Sequence, residues 1–334
     1  MKHQIARPQL PGLCGTLRPL CILLLCASPV TSHAQVELRA DRQILLEAER
    51  GTVTIKQGPG NKLYVLTRSA VRQPSSLWVS DYSGSSMRMI LGGGLESTNL
   101  RLPKDLAIDR DGNAIVVDAD GLIKTFSLDG KLIGSFPSVR PVSVGILSDG
   151  RILVSGFPKD NLMSVFDRQG RLLGGIGSPA KIDEGFFNAV QNMGIIVVDS
   201  EDNIYYVFRF TLTPMIRRFK SDGTLTAEWH LDAGEIPEQT LTEAKVRYQE
   251  NKKSGTYGGV QVLTAAAFDE DSKTLWVASG SRVLQLDSSG RMIQSFNLVR
   301  PDGGPIQTSG LLVDRNFIRV AGTLHGTFEY LKPQ

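Results

Sequence analysis

The chain has 334 residues, 41% of them apolar and 21% charged, with a formal net charge of +3 at pH 7. That apolar share supports a sizeable core and excludes a disordered chain. The positive balance comes entirely from Lys2, Arg7 and Arg18. Beyond residue 34 the chain carries 34 basic and 34 acidic residues, which excludes a broad electrostatic surface for nucleic acid.

Residues 1–34 read as a signal peptide. Residues 20–27 form an apolar run, and Ser32-His33-Ala34 has the small-x-small form of a cleavage site. The run is too short to span a bilayer comfortably, and no later run approaches the ~18 apolar residues a membrane helix needs. The mature chain is therefore expected to be periplasmic or secreted, with no integral membrane segment. Lipid anchoring at Cys26 is the alternative, against which Leu25 stands, because a lipobox wants a small residue there. Cys14, Cys21 and Cys26 all lie in this segment, so cleavage would leave no disulfide, no thiolate metal ligand and no thiol nucleophile.

Residues 35–42 are polar and read as a flexible lead-in. Residues 43–47 follow as a short apolar segment. The next unit covers about residues 50–92, and the clearest unit is 102–136. There, apolar runs at 106–109, 113–117, 122–127 and 131–136 alternate with Asp111-Gly112, Asp120-Gly121 and Asp129-Gly130. Asp-Gly supplies the positive φ of a tight hairpin turn, so this unit predicts a four-stranded antiparallel meander. Its turn-plus-second-strand pattern recurs at 60–66, 111–117, 149–154, 202–207, 272–277 and 315–320. Repetition at about 40 to 45 residues is the mark of propeller blades.

The remaining units fall at about 141–176, 193–229, 263–296 and 307–331. The last is one strand short, and an open edge would present unpaired backbone. Residues 43–47 are therefore expected to supply its outermost strand. Two stretches break the period. Residues 178–191 read as a loop. Residues 231–262 are predicted to carry a helix at 241–252, between the fourth and fifth units. Thr240 and Glu243 give a capping box there, Leu241, Ala244 and Tyr248 share a face, and Gly255 is a stop.

The predicted fold is an all-β, six-bladed propeller of four-stranded antiparallel blades, one domain over 35–334, its last blade closed by an N-terminal strand. Pro103, Leu106-Ala107-Ile108-Asp109, Gly112, Val117-Asp118, Ile123, Phe126 and Gly130 resemble the NHL repeat of six-bladed propellers. The unit departs from that pattern at Lys104 and Asp105, where a Gly usually follows the Pro. The resemblance implies architecture; related six-bladed folds include calcium-dependent lactonases, whose metal is held near the axis by Glu, Asn and Asp.

In such a meander, second-to-third turns and blade links share one rim, and the long connections predicted here all belong to it. Function gathers on elaborated loops, so the site is expected on that rim. Its candidate ligand-binding residues are Arg72, Lys104, Arg140, Asn161, Asn192, Arg209, Tyr257 and His325. They would form a mixed polar and basic surface suited to an anionic small molecule, a peptide or a sugar. Only two His remain beyond residue 34, and no Gly-x-Ser-x-Gly occurs. The first reading is therefore an exported, non-catalytic propeller that recognises a peptide, protein or glycan without a cofactor. The alternative is a metal-dependent hydrolase or lactonase using a divalent cation such as calcium, for which Asp118 and Asp120 are the acidic pair nearest the elaborated rim.

Overall fold

A computed structural model describes residues 36–45, 51–68, 75–92, 100–232, 234–256, 259–322, 324 and 326–333. Residues 1–34, read above as a signal peptide and holding the three Cys, and the candidates Arg72, Tyr257 and His325, lie outside the described residues.

Two short strands come first, β1 (Val36–Arg39) and β2 (Arg42–Ile44). Blade 1 is β3 (Thr52–Gly58), β4 (Lys62–Thr67), β5 (Ser76–Ser80) and β6 (Met87–Gly92). Blade 2 is β7 (Pro103–Ile108), β8 (Ala114–Asp118), β9 (Leu122–Phe126) and β10 (Leu132–Pro137). Blade 3 is β11 (Ser143–Ile146), β12 (Ile152–Ser155), β13 (Met163–Phe166) and β14 (Leu172–Ile176), followed by helix α1 (Gly185–Gln191). Blade 4 is β15 (Gly194–Val198), β16 (Ile204–Phe208), β17 (Met215–Phe219) and β18 (Leu225–His230), followed by helix α2 (Glu238–Ser254). Blade 5 is β19 (Ala265–Asp269), β20 (Thr274–Ser279), β21 (Arg282–Leu286) and β22 (Met292–Val299). Blade 6 is β23 (Thr308–Val313), β24 (Phe317–Gly322) and β25 (Gly326–Leu331). Each blade is an antiparallel meander, and the first strands β3, β7, β11, β15, β19 and β23 touch in cyclic order, so the ring is closed.

The turns hold by a repeated local device. Asp109 Oδ1 accepts the backbone N–H groups of Asp111 and Asn113, at 2.9 and 2.8 Å. Asp167 does the same for Gln169 and Arg171, and Asp287 for Ser289 and Arg291. Turn Asp residues thus serve their own backbone. Gly130 sits at φ 84°, and a Cβ there would run into the Ile90 carbonyl of blade 1, so only glycine fits that approach.

Apolar clusters fill all six seams between neighbouring blades. The seam of blades 4 and 5 holds Ile216, Trp229, Val277 and Leu284, and takes in Leu241 and Ala244 from α2. The Trp229 ring lies on Gly290 of blade 5, and Trp276 stacks on Phe296 at 5.5 Å. Fully burying one such side chain stabilises by roughly 1.5–3 kcal/mol, so the seams are what hold the blades in a ring.

Closure follows the expected route with a shift. β2 pairs antiparallel with β25, placing Arg42 opposite Glu329, Gln43 opposite Phe328 and Ile44 opposite Thr327. The closing strand thus starts at Arg42; residues 46 and 47 lie outside the described residues. The lead-in is not a loose tail. Val36–Arg39 adds in parallel to β22 and gives blade 5 a fifth strand. Val36 and Leu38 pack on the core of blades 5 and 6, while Glu37 and Arg39 are exposed, the alternation of a one-sided strand.

Two connections are helical, where one was expected. α2 starts after Pro237 with no side-chain cap, so Thr240 and Glu243 lie inside the helix. It ends at Gly255, which takes φ 66°. α1 lies in the stretch read as a loop. Its neighbourhood is fastened to α2 by Asp183, which accepts from Tyr248 Oη and, at 2.8 Å, from Lys252 Nζ. Phe187 meets the Tyr248 ring edge-on at 5.9 Å. Among the described residues, no helix is long and apolar enough to cross a membrane.

Candidate functional site

Each inner strand begins at the elaborated rim, and the six beginnings surround an axial cup of about 140 Å³. Thr52, Thr54 and Lys56 of β3, Lys104 and Asp105 of β7, Ser143 of β11 and Ser309 of β23 contribute to its wall. Arg68 and Arg209 enter from the second-to-third turns of blades 1 and 4, each one residue past the end of its strand. Gln261 enters from the link that follows α2.

The charge in this cup is one-sided. Among the described residues, Lys56, Arg68, Lys104 and Arg209 line it, against a single carboxylate, Asp105. That carboxylate is occupied elsewhere. Its Oδ1 accepts from the Leu106 N–H at 2.9 Å, and its Oδ2 accepts from the Val144 N–H at 3.1 Å and from the Ser143 hydroxyl. Ser143 Oγ in turn accepts the Ile196 N–H at 3.0 Å. Asp105 therefore ties together the inner strands of blades 2, 3 and 4. Among the described residues, the side chains of Lys56, Arg68 and Lys104 have no hydrogen-bond or ion-pair partner.

Arg209 is held in place but left short of acceptors. Its Nη2 donates to Gln261 Oε1 at 2.6 Å and to the Thr264 carbonyl at 3.4 Å, while its buried Nε has no partner. Burial pulls this guanidinium down to about 10, partly offset by Asp105. Lys104 is also pulled below the ordinary lysine value, first by burial and then by repulsion from Arg68 and Arg209. Arg209 remains a cation at neutral pH, and burial works against the charged form of both. The arrangement offers an anion several donors in a partly desolvated recess, where charge-assisted hydrogen bonds are strongest.

Two of the predicted residues, Lys104 and Arg209, are brought together here. Arg140 is exposed on the link between blades 2 and 3, with its guanidinium over Phe157 at 5.5 Å, outside the cup. Asn161 is exposed in the turn after β12, against Gly175, and is also outside the cup. Asn192 is fully buried. Its Oδ1 accepts the Ala180 N–H at 2.7 Å, and its Nδ2 donates to the carbonyls of Ala180 and Asn188 at 2.9 and 2.8 Å. It fastens the 178–191 stretch. Sequence reasoning missed Lys56, Arg68 and Gln261. Arg68 was findable, because Thr67-Arg68 and Phe208-Arg209 occupy equivalent places in blades 1 and 4.

Asp118 and Asp120 do not line the cup. Asp118 is fully buried. It accepts the Leu102 and Arg101 N–H groups at 2.7 and 2.8 Å and pairs with Lys124 Nζ at 3.0 Å. Asp120 pairs with the same ammonium at 3.2 Å. Their lone pairs serve the β6–β7 link and Lys124. A divalent cation needs converging, uncommitted oxygens, and an axis lined by four cations and one committed carboxylate does not fit one. Among the described residues, no group of three or more His, Cys, Asp and Glu is placed to hold a metal.

Beyond the cup the axis continues into a second space of about 230 Å³, lined by residues further along the same six strands. Its wall includes Ile108, Ile146, Val198, Phe268 and Leu312.

No protein-family model matches the chain, and no curated protein matches it.

Proposed function

We propose that this chain is an exported, non-catalytic binding propeller whose axial cup holds the anionic group of its ligand. One observation carries the reading: Lys56, Arg68, Lys104 and Arg209 surround a recess whose one carboxylate among the described residues accepts hydrogen bonds at both oxygens. Cations gathered without counter-charges oppose folding, and an anion in the cup relieves that opposition for both Lys104 and Arg209. Ser143 of the cup wall donates to Asp105 and not to a His, so it lacks the base of a Ser-His nucleophile. Export rests on the apolar run 20–27 and the cleavage pattern after it.

Isothermal titration with citrate, phosphate and sulfate at low salt tests this. At least one of these anions binds with an affinity that falls as salt rises. Lys104→Gln and Arg209→Gln each weaken binding at least tenfold while leaving the fold intact by circular dichroism. Equal binding in both variants would remove the cup as the site.

A further inference from the structure

We propose that the whole axial channel is one binding site for an amphiphile, with an anionic head group in the cup and an apolar tail directed along the axis toward the opposite rim. This rests on the cup reading above and adds the tail. Along each of several inner strands the chemistry changes in step. Blade 2 goes from Lys104 and Asp105 to Ala107 and Ile108, blade 3 from Ser143 to Ile146, and blade 6 from Ser309 to Leu312. The two spaces share Lys56, Ala266 and Leu311 in their walls, so the floor of one is the roof of the other. From Lys104 to Ile108 is four strand residues, roughly 13 Å of axis.

The far space is about 230 Å³; Lys56 and Gln57 of β3 line one side of it, and Ile108, Ile146, Val198, Phe268 and Leu312 come from the other five strands. Ile108, Ile146, Val198, Phe268 and Leu312 are only partly buried there, although the seams behind them are fully packed. Soluble proteins seldom leave such a cluster facing water without a ligand or partner for it. Ala107, Gly145, Ala266 and Ala267 also line the passage. A cationic end, joined on one axis to an end where five strands each present an apolar side chain, matches a linear carboxylate or a comparable anionic amphiphile.

Calorimetry with straight-chain carboxylates, from acetate to octanoate, separates the head from the tail. Affinity is expected to rise with each added methylene, by up to roughly fourfold per step. The neutral alcohol of the same length should bind far more weakly. Ile146→Thr/Val198→Thr, which replaces apolar surface with hydroxyls, should flatten the chain-length slope while acetate affinity stays as in the parent chain. Lys104→Gln should weaken every member of the series. Binding of acetate and octanoate with the same affinity overturns the tail and leaves the anion cup standing. A slope unchanged in the double variant, or alcohols that bind as well as carboxylates, overturns the proposal too. Failure of every carboxylate and of citrate, phosphate and sulfate would count against the cup itself.

Discussion

Arg42 and Glu329 join the closing strand to the last strand of the ring, with Arg42 Nη2 2.8 Å from Glu329 Oε1. Glu329 is buried and also holds Arg319, whose Nε lies 2.8 Å from Oε2. Arg319 is fully buried. Its Nη1 reaches Asp314 at 2.6 Å, and its guanidinium lies 4.1 Å from the Tyr82 ring centre of blade 1. The ring therefore shuts over a charged stack that touches blade 6, the closing strand and blade 1.

The two ends of that stack should respond differently to mutation. Glu329→Gln leaves Arg319 short of charge in a dry site, and is expected to destabilise by about 3 kcal/mol or more. Arg42→Ala removes a half-exposed partner, and should cost at most about 1 kcal/mol. Urea denaturation of the two variants checks the order.

The two N-terminal strands should also be separable. A chain beginning at Ala40 loses only the parallel strand on blade 5, and should keep its ring with a modestly lower Tm. It exposes the β22 edge, so light scattering on heating should rise. A chain beginning at residue 46 loses Arg42, Ile44 and Leu45 as well, and should lose cooperative thermal unfolding.

Lys104→Met should stabilise the unliganded protein, by up to about 1 kcal/mol, while abolishing anion binding. The pH dependence has a definite sign. Lys104 has a folded-state pKa below its unfolded value, so in the window between the two the unfolded chain binds more protons. Stability should rise with pH across that window, up to the ordinary lysine range near 10.4. Anion affinity should fall over the same window as the ammonium is lost. Thermal melts and titrations at stepped pH, compared with Lys104→Met, check both limbs.

At low pH the turn carboxylates should govern. The Arg171 N–H holds Asp167 below the usual carboxylate range, and the Ser289 hydroxyl does so for Asp287. Their contribution is complete above the unfolded value near 3.9 and is lost as pH falls through the lower folded values. Asp167→Asn/Asp287→Asn should give a shallower loss of Tm on acidification than the parent chain.

The strands and turns were legible because they are local. Asp111-Gly112 and its equivalents state their own geometry, and Gly255 marks the end of α2. The parallel strand β1 was hidden, since the alternation of Val36 and Leu38 means little until β22 offers an edge. α1 was hidden because a helix that short is held by Phe187 and Tyr248, which are distant in sequence. The cup was half legible. Lys104 and Arg209 followed from the rim argument, and Lys104 also stood out as a departure from the repeat. Arg68 required comparing equivalent positions across blades. Asn192 misled because a rim amide staples a loop as readily as it greets a ligand.

The pairing of Arg42 with Glu329 spans 287 positions of sequence. Contacts that distant form late, because loop closure must be completed before they return any stability. A growing chain has no sixth seam until β23 and β24 have emerged, and β2 must wait for β25 to find its partner. Maturation of this molecule is thus gated by its last blade, and a nascent chain stalled before residue 308 would remain an open arc with two raw edges.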